Sequence, residues 1–275
     1  MTWRATALGL CLGLACAAPA PAQAPDTVFL EDLTWTEVRD LLRAGKTTII
    51  VPTGGTEQNG PHMALGKHNA RARILAEKVA RALGDALVAP VIAYVPEGRL
   101  DPPTGHMRFP GTITVGEDVF EKLLESAARS FKAHGFRDVV FLGDHGSSQA
   151  GQKAVAGRLN HEWAGAPTRV HAVEEYYRAS EAELRELLAA RGYRRSELGG
   201  HADLADTSLT MALDSRLVRA DRLRPGTGLG PGGDGVEGDP SRASAELGRL
   251  GVDIIVPRTA AAIRASIAQR AGRAK

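Results

Sequence analysis

Two short apolar runs constrain this chain more than anything else in it: Thr47-Thr-Ile-Ile-Val51 and Asp138-Val-Val-Phe-Leu142. Each is too short for a helix, rich in β-branched or aromatic residues, and runs straight into a polar, Gly-rich loop. Such runs read as strands buried on both faces, and a strand of that kind needs a covering layer on each side. The covering layers are also visible. Apolar residues recur at helical spacing over Ala70–Leu83, stopped by Gly84, and over Glu117–His134, closed by Gly135. Further helices are expected from about Gln149 to Trp163 and near 180–191, 206–213 and 241–250. Strands are expected near Arg169–Val173 and over Leu87–Val95, where Pro90 interrupts the pattern. This alternation predicts an α/β fold: a single three-layer domain over 25–275, with a mostly parallel sheet and helices on both faces.

The first 24 residues read differently. Arg4 supplies a positive charge, Ala5–Ala18 is an apolar run too short to span a bilayer, and small residues lead to Ala22-Gln-Ala24. That order predicts a signal peptide over 1–24 and a periplasmic or secreted product. Both cysteines, Cys11 and Cys16, fall inside it, so the mature chain is expected to use neither disulfides nor thiolate ligands. Lysine and arginine total 34 against 32 acidic residues, a balance of +2 without basic runs. Nucleic acid is therefore not expected as a partner, nor a membrane once the leader is gone.

Ligands of open α/β sheets bind beyond the carboxyl ends of the strands. Glu57 and His68 lie in the loop after the first run, Asp144 and His145 directly after the second, and His201 and Asp206 open a later helix. Five of the eight histidines (His62, His68, His106, His145 and His201) stand in or beside Gly/Pro-rich segments. Carboxylate and imidazole together suit zinc, manganese or iron. On residue type alone, however, each histidine could equally cap a helix or bond a loop carbonyl.

The order of motifs decides between these. Pro52-Thr-Gly-Gly-Thr-Glu57-Gln-Asn59-Gly-Pro-His62-Met-Ala-Leu-Gly-Lys-His68 is followed by His106 and Phe109-Pro-Gly-Thr-Ile113, Gly143-Asp-His145-Gly-Ser-Ser148, His201-Ala-Asp-Leu-Ala-Asp206-Thr-Ser208 and Gly235-Val-Glu-Gly-Asp-Pro-Ser-Arg-Ala243. These five segments resemble, in order, the motifs of the creatininase (creatinine amidohydrolase) family. The resemblance implies an α/β hydrolase of amide C–N bonds with a two-metal site, often assembled as a hexamer. It aligns Glu57 and His145 with metal ligands. Asn59 stands where the family has a histidine, His68 where an aspartate bridges both metals, and Ser147 where creatininase has a further glutamate.

These departures remove support for a second ion, leaving Glu57, His68 and His145 as ligands of one divalent metal, zinc for preference, with manganese or iron also suited. His68 has the alternative of capping the helix that follows it. His201 is the candidate proton shuttle, while Asp144 and Asp206 are candidate proton acceptors or simply stabilise helix starts. His62 and His106 are read as loop-holding residues. The function expected is metal-dependent hydrolysis of an amide in a small molecule. A non-catalytic binding paralogue and a metal-dependent lactone hydrolase are the alternatives, and a homo-oligomer is expected from the resemblance.

Overall fold

A computed structural model describes residues 25–273; the expected leader lies outside them. The chain runs through α1 (Trp35–Arg43), β1 (Thr48–Thr53), α2 (Lys67–Leu83), β2 (Ala86–Val88), α3 (Glu117–Ala133), β3 (Asp138–Gly143), α4 (Ser148–Glu162), β4 (Arg169–Ala172), α5 (Glu174–Arg178), α6 (Leu184–Ala190), α7 (Leu204–Asp214) and α8 (Ala245–Arg273). The strands form one parallel sheet in the order β2-β1-β3-β4.

Strand periodicity builds the three layers. Along β1 and β3, Ile49, Val51, Val139 and Phe141 point to one face, where they meet Phe120 and Leu124 of α3 and Val155 and Leu159 of α4. Ile50, Val140 and Leu142 point to the other, against Leu75 and Val79 of α2, Leu204 and Leu209 of α7, and Ile255 and Ile263 of α8. Every residue of β1 and β3 is buried, which explains why these runs are continuously apolar rather than alternating. The α/β architecture read from the sequence is the one observed.

Helix boundaries follow local chemistry. Thr34 and Glu37 form a reciprocal capping box at the start of α1. Gly84 ends α2 at φ +89°, a conformation that costs glycine little. Two expectations need correction. The strand expected over Leu87–Val95 stops at Val88, because Pro90 has no N–H for the ladder; beyond it only Ile92 returns, donating to the Pro52 carbonyl at 2.9 Å. The helix expected near 241–250 instead begins at Ala245 and continues to Arg273 through Gly251 and Pro257. Gly248 and Gly251 are both packing positions, and Gly251 does not end the helix. A Cβ on Gly248 would strike the Ser208 carbonyl, and one on Gly251 would lie 2.8 Å from Leu184, so glycine lets α8 lie close against its neighbours. Among the described residues no helix is long and apolar enough to cross a membrane.

Candidate functional site

β1 and β3 are adjacent and parallel, paired from Thr48↔Asp138 to Thr53↔Gly143. Their ends therefore release two loops side by side, and Glu57, Asp144 and His145 are brought together there. α2 begins at Lys67, so its first turn aims Lys67, His68 and Arg71 into the same space. Gly143 suits the crowded end of β3, since an added Cβ would strike Ser148 and Gln149.

Glu57 is the centre. Its side chain is fully buried, with Oε1 2.8 Å from His68 Nε2 and Oε2 2.9 Å from His145 Nε2. His106 Nε2 lies 3.1 Å from the same Oε2, and His201 Nδ1 lies 3.9 Å from Oε1. The His68 and His145 rings stand edge to face, their centroids 5.1 Å apart. A second carboxylate, Glu97, joins from the loop after β2, with Oε2 3.2 Å from His145 Nε2. Single ligand atoms of Glu57, Glu97, His106 and His145 fall within 4.8 Å of one another.

Behind this cluster lies a buried charge network. His68 Nδ1 faces Asp144 Oδ2 at 2.6 Å, and the Tyr176 hydroxyl donates to Asp144 Oδ1 at 2.6 Å. The Arg71 guanidinium approaches Asp144 at 3.2 Å and also pairs with Asp206, whose other oxygen pairs with Lys67 and accepts from the Ala202 amide. Both oxygens of Asp144 and both of Asp206 are thus taken by donors. His201 sits outside this network, its Nε2 3.0 Å from the Gln58 carbonyl oxygen and 3.1 Å from the Gln58 side-chain nitrogen.

The electrostatics follow the contacts. Burial alone would raise Glu57, but the hydrogen bonds and charges of His145 and His68 outweigh it and hold the carboxyl well below its ordinary value. Burial likewise opposes ionisation of Asp206, and Lys67 and Arg71 overcome it. Burial and Lys67 depress His68, yet bonds to Asp144 and Glu57 raise it overall. Burial, reinforced by the Glu57 charge, pushes Glu97 up to about 10. Burial, with Lys67, pushes His201 down to about 3, so its ring is neutral at pH 7.

All six residues singled out in the sequence, Glu57, His68, His145, Asp144, His201 and Asp206, line one cavity of about 220 Å³. A second cavity of about 510 Å³ shares His106 and His145 as walls and is also lined by Glu97. Glu97, Lys67, Arg71 and Tyr176 were not foreseen. Lys67 and Arg71 flank His68 in sequence, but nothing marks a lysine and an arginine as buried until Asp206 is seen to meet both. His106, read as a loop-holding residue, stands within the cluster as well as bonding Gln58. Asn59 spans its own loop, donating to the carbonyls of Glu57 and Ala64.

Residues 31–263 match the family model Creatininase, described as creatinine amidohydrolase. The mycofactocin precursor peptide peptidase of Mycolicibacterium smegmatis is 34% identical over 119 residues, 42% of this chain and 45% of that protein. The creatinine amidohydrolase of Pseudomonas putida is 29% identical over 119 residues, 43% of this chain and 45% of that protein. The matched segment thus spans under half the length of these curated relatives. A creatininase variant solved in a Zn–Zn form aligns at a TM-score of 0.69 and 25% identity, over 88% of this chain and 99% of that one. With the family model covering most of its length and the fold matching as well, this chain belongs to the creatininase family.

Proposed function

We propose that this chain is a metal-dependent hydrolase that cleaves an amide C–N bond in a small molecule, cyclic or linear. One observation carries the reading: a fully buried Glu57 at the end of the β1 loop has its two oxygens facing imidazoles from two other elements, His68 of α2 and His145 of the β3 loop. These residues fit a cation. An imidazole that donates Nδ1–H to a carboxylate, as His68 can to Asp144, has Nε2 free to ligate. Two imidazoles and a carboxylate suit zinc, and the Zn–Zn creatininase supports a divalent ion of that kind. Ser147, where creatininase itself has a glutamate, bonds to His145 and Pro96, which favours one ion over two.

When bound, the metal supplies Lewis-acid polarisation of the scissile carbonyl. The protein's own groups do the rest. His201, the family's candidate proton carrier, stands with Nδ1 3.9 Å from Glu57 Oε1 and is assigned delivery of a proton to the leaving nitrogen. Asp144 holds the His68 ring in position, and Asp206 balances the buried charges of Lys67 and Arg71; neither has an oxygen open for proton transfer.

A peptide bond is the second substrate reading. It is favoured by the peptidase among the relatives and by the larger cavity beyond His106 and His145. Export to the periplasm and assembly as a homo-oligomer complete the proposal, the first resting on the sequence of residues 1–24 and the second on the family resemblance. The test is a panel of cyclic amides, linear amides, short peptides and lactones, run on zinc-loaded wild type and Glu57→Gln. Amide or peptide turnover that disappears in the variant supports the proposal; turnover of lactones only, or of nothing, overturns it.

A further inference from the structure

Glu97 is 4% exposed, yet neither of its carboxylate oxygens has a hydrogen-bond partner. A carboxylate in that condition is costly, and native structures rarely keep one without a purpose. Its backbone is fixed: the amide donates to Thr114 Oγ1 at 2.9 Å. Its side chain points at His145, with Oε2 3.2 Å from Nε2.

The protons around His145 can be assigned. The Ser147 hydroxyl contacts the Pro96 carbonyl oxygen, which only accepts, so the hydroxyl hydrogen lies there. The same Ser147 oxygen is 2.7 Å from His145 Nδ1 and must accept from it, so Nδ1 carries the ring proton. The Ser147 amide approaches that nitrogen only at 3.3 Å, the weaker contact. In the neutral ring, the form that ligates a metal, Nε2 is left with a lone pair, facing Glu57 Oε2 at 2.9 Å and Glu97 Oε2 at 3.2 Å. The oxygens of two carboxyls, Glu57 and Glu97, thus converge with this lone pair on one point, where a cation can replace the proton that otherwise separates the two carboxyls.

His106 stands just as close but differs in kind. The Gly60 amide donates to Gln58 Oε1 at 2.9 Å, which makes Gln58 Nε2 the donor to His106 Nδ1 at 3.0 Å. His106 Nε2 therefore carries its proton and donates it to Glu57, a positioning contact rather than a ligand.

We infer that Glu97 is a protein ligand of the metal held at Glu57 and His145, an inference that rests on the metal-dependent reading above. Ser147 stands where creatininase itself has a glutamate, and it is Ser147 that anchors Pro96, the neighbour of Glu97. The carboxylate missing at one point of the chain is thus returned from another. Two carboxylates with neutral imidazoles also balance a divalent charge, which Glu57 alone does not.

Zinc affinity, measured against a chelating indicator on wild type, Glu57→Gln and Glu97→Gln, tests this, with thermal melts of the metal-free proteins alongside. Wild type is expected to bind zinc, and each variant to lose about 100-fold or more, above the ~10–100-fold that even outer-shell changes cost. Metal-free Glu97→Gln is expected to melt no lower than wild type, since a neutral amide of the same size replaces a buried carboxyl without a hydrogen-bond partner, so weak binding is not unfolding. Glu97→Asp, which keeps the charge but withdraws the oxygens by one methylene, is expected to fold and also to bind weakly. Wild-type affinity in both Glu97 variants, with binding lost in Glu57→Gln, overturns the inference and leaves the metal-dependent reading standing. No zinc bound by wild type overturns both.

Discussion

Asp206→Asn tests whether the buried network behind the site is held by charge. Lys67 and Arg71 are each 1% exposed and Asp206 is 3% exposed at the side chain, and both cations pair with it. The amide keeps the volume and removes the charge, leaving Arg71 with Asp144 at 3.2 Å and Glu181 at 4.0 Å, and Lys67 without its ion-pair partner. Breaking a buried pair from one side costs about 3–5 kcal/mol, because the surviving charge stays out of water. A domain of this size shifts by ~2–4 °C per kcal/mol, so the melting temperature should fall by roughly 6–20 °C at pH 7. Asp206 is held below its ordinary value, so its stabilisation is present above the unfolded carboxyl pKa of about 3.9 and fades as pH falls toward the folded value. The gap between wild type and variant should therefore narrow in acid. Thermal melts by circular dichroism from pH 7 downward read both quantities. A variant melting within about 2 °C of wild type at pH 7, or a gap that widens in acid, would refute the reasoning.

Other expected outcomes concern the remaining residues. His201→Ala should lower turnover by roughly 10²–10⁴-fold while metal content by elemental analysis is unchanged; unaltered turnover removes its proton-transfer role. Asp144→Asn should weaken metal binding by about 10–100-fold, read by chelator competition, because His68 loses the acceptor that orients its ring. Leu75→Ala, at a fully buried position of α2, should cost about 2–5 kcal/mol in denaturant unfolding and leave metal affinity as it was.

The parts of the fold that were legible are those where one local pattern dictates one structure. TTIIV and DVVFL could only be buried strands, and the glycines after α2 and α3 end helices in the way expected. The strand after α2 and the long α8 were misread because the deciding contacts are remote. Pro90 removes a ladder bond to β1, and Gly251 looks like a helix stop until Leu184 of α6 and Leu209 of α7 are seen packed against it. The site divides the same way. Glu57, His68, Asp144, His145, His201 and Asp206 carry motif spacing and strand-end context. Glu97 carries neither. It sits in Pro96-Glu97-Gly98, an unremarkable loop in sequence, and becomes noticeable only as a buried carboxylate with no donor. Lys67 and Arg71 flank His68 on α2, and only the fold shows that their charges turn inward to Asp206.

The central claim is that Glu57 organises a metal site on which amide hydrolysis depends. Its most direct test is metal stoichiometry by elemental analysis on protein purified without chelator, wild type beside Glu57→Gln, with amide turnover followed through chelation and zinc re-addition. The account predicts about one divalent ion per chain, lost in the variant, and turnover that vanishes on chelation and returns with the metal. Wild type free of metal, or turnover indifferent to chelation, would contradict it.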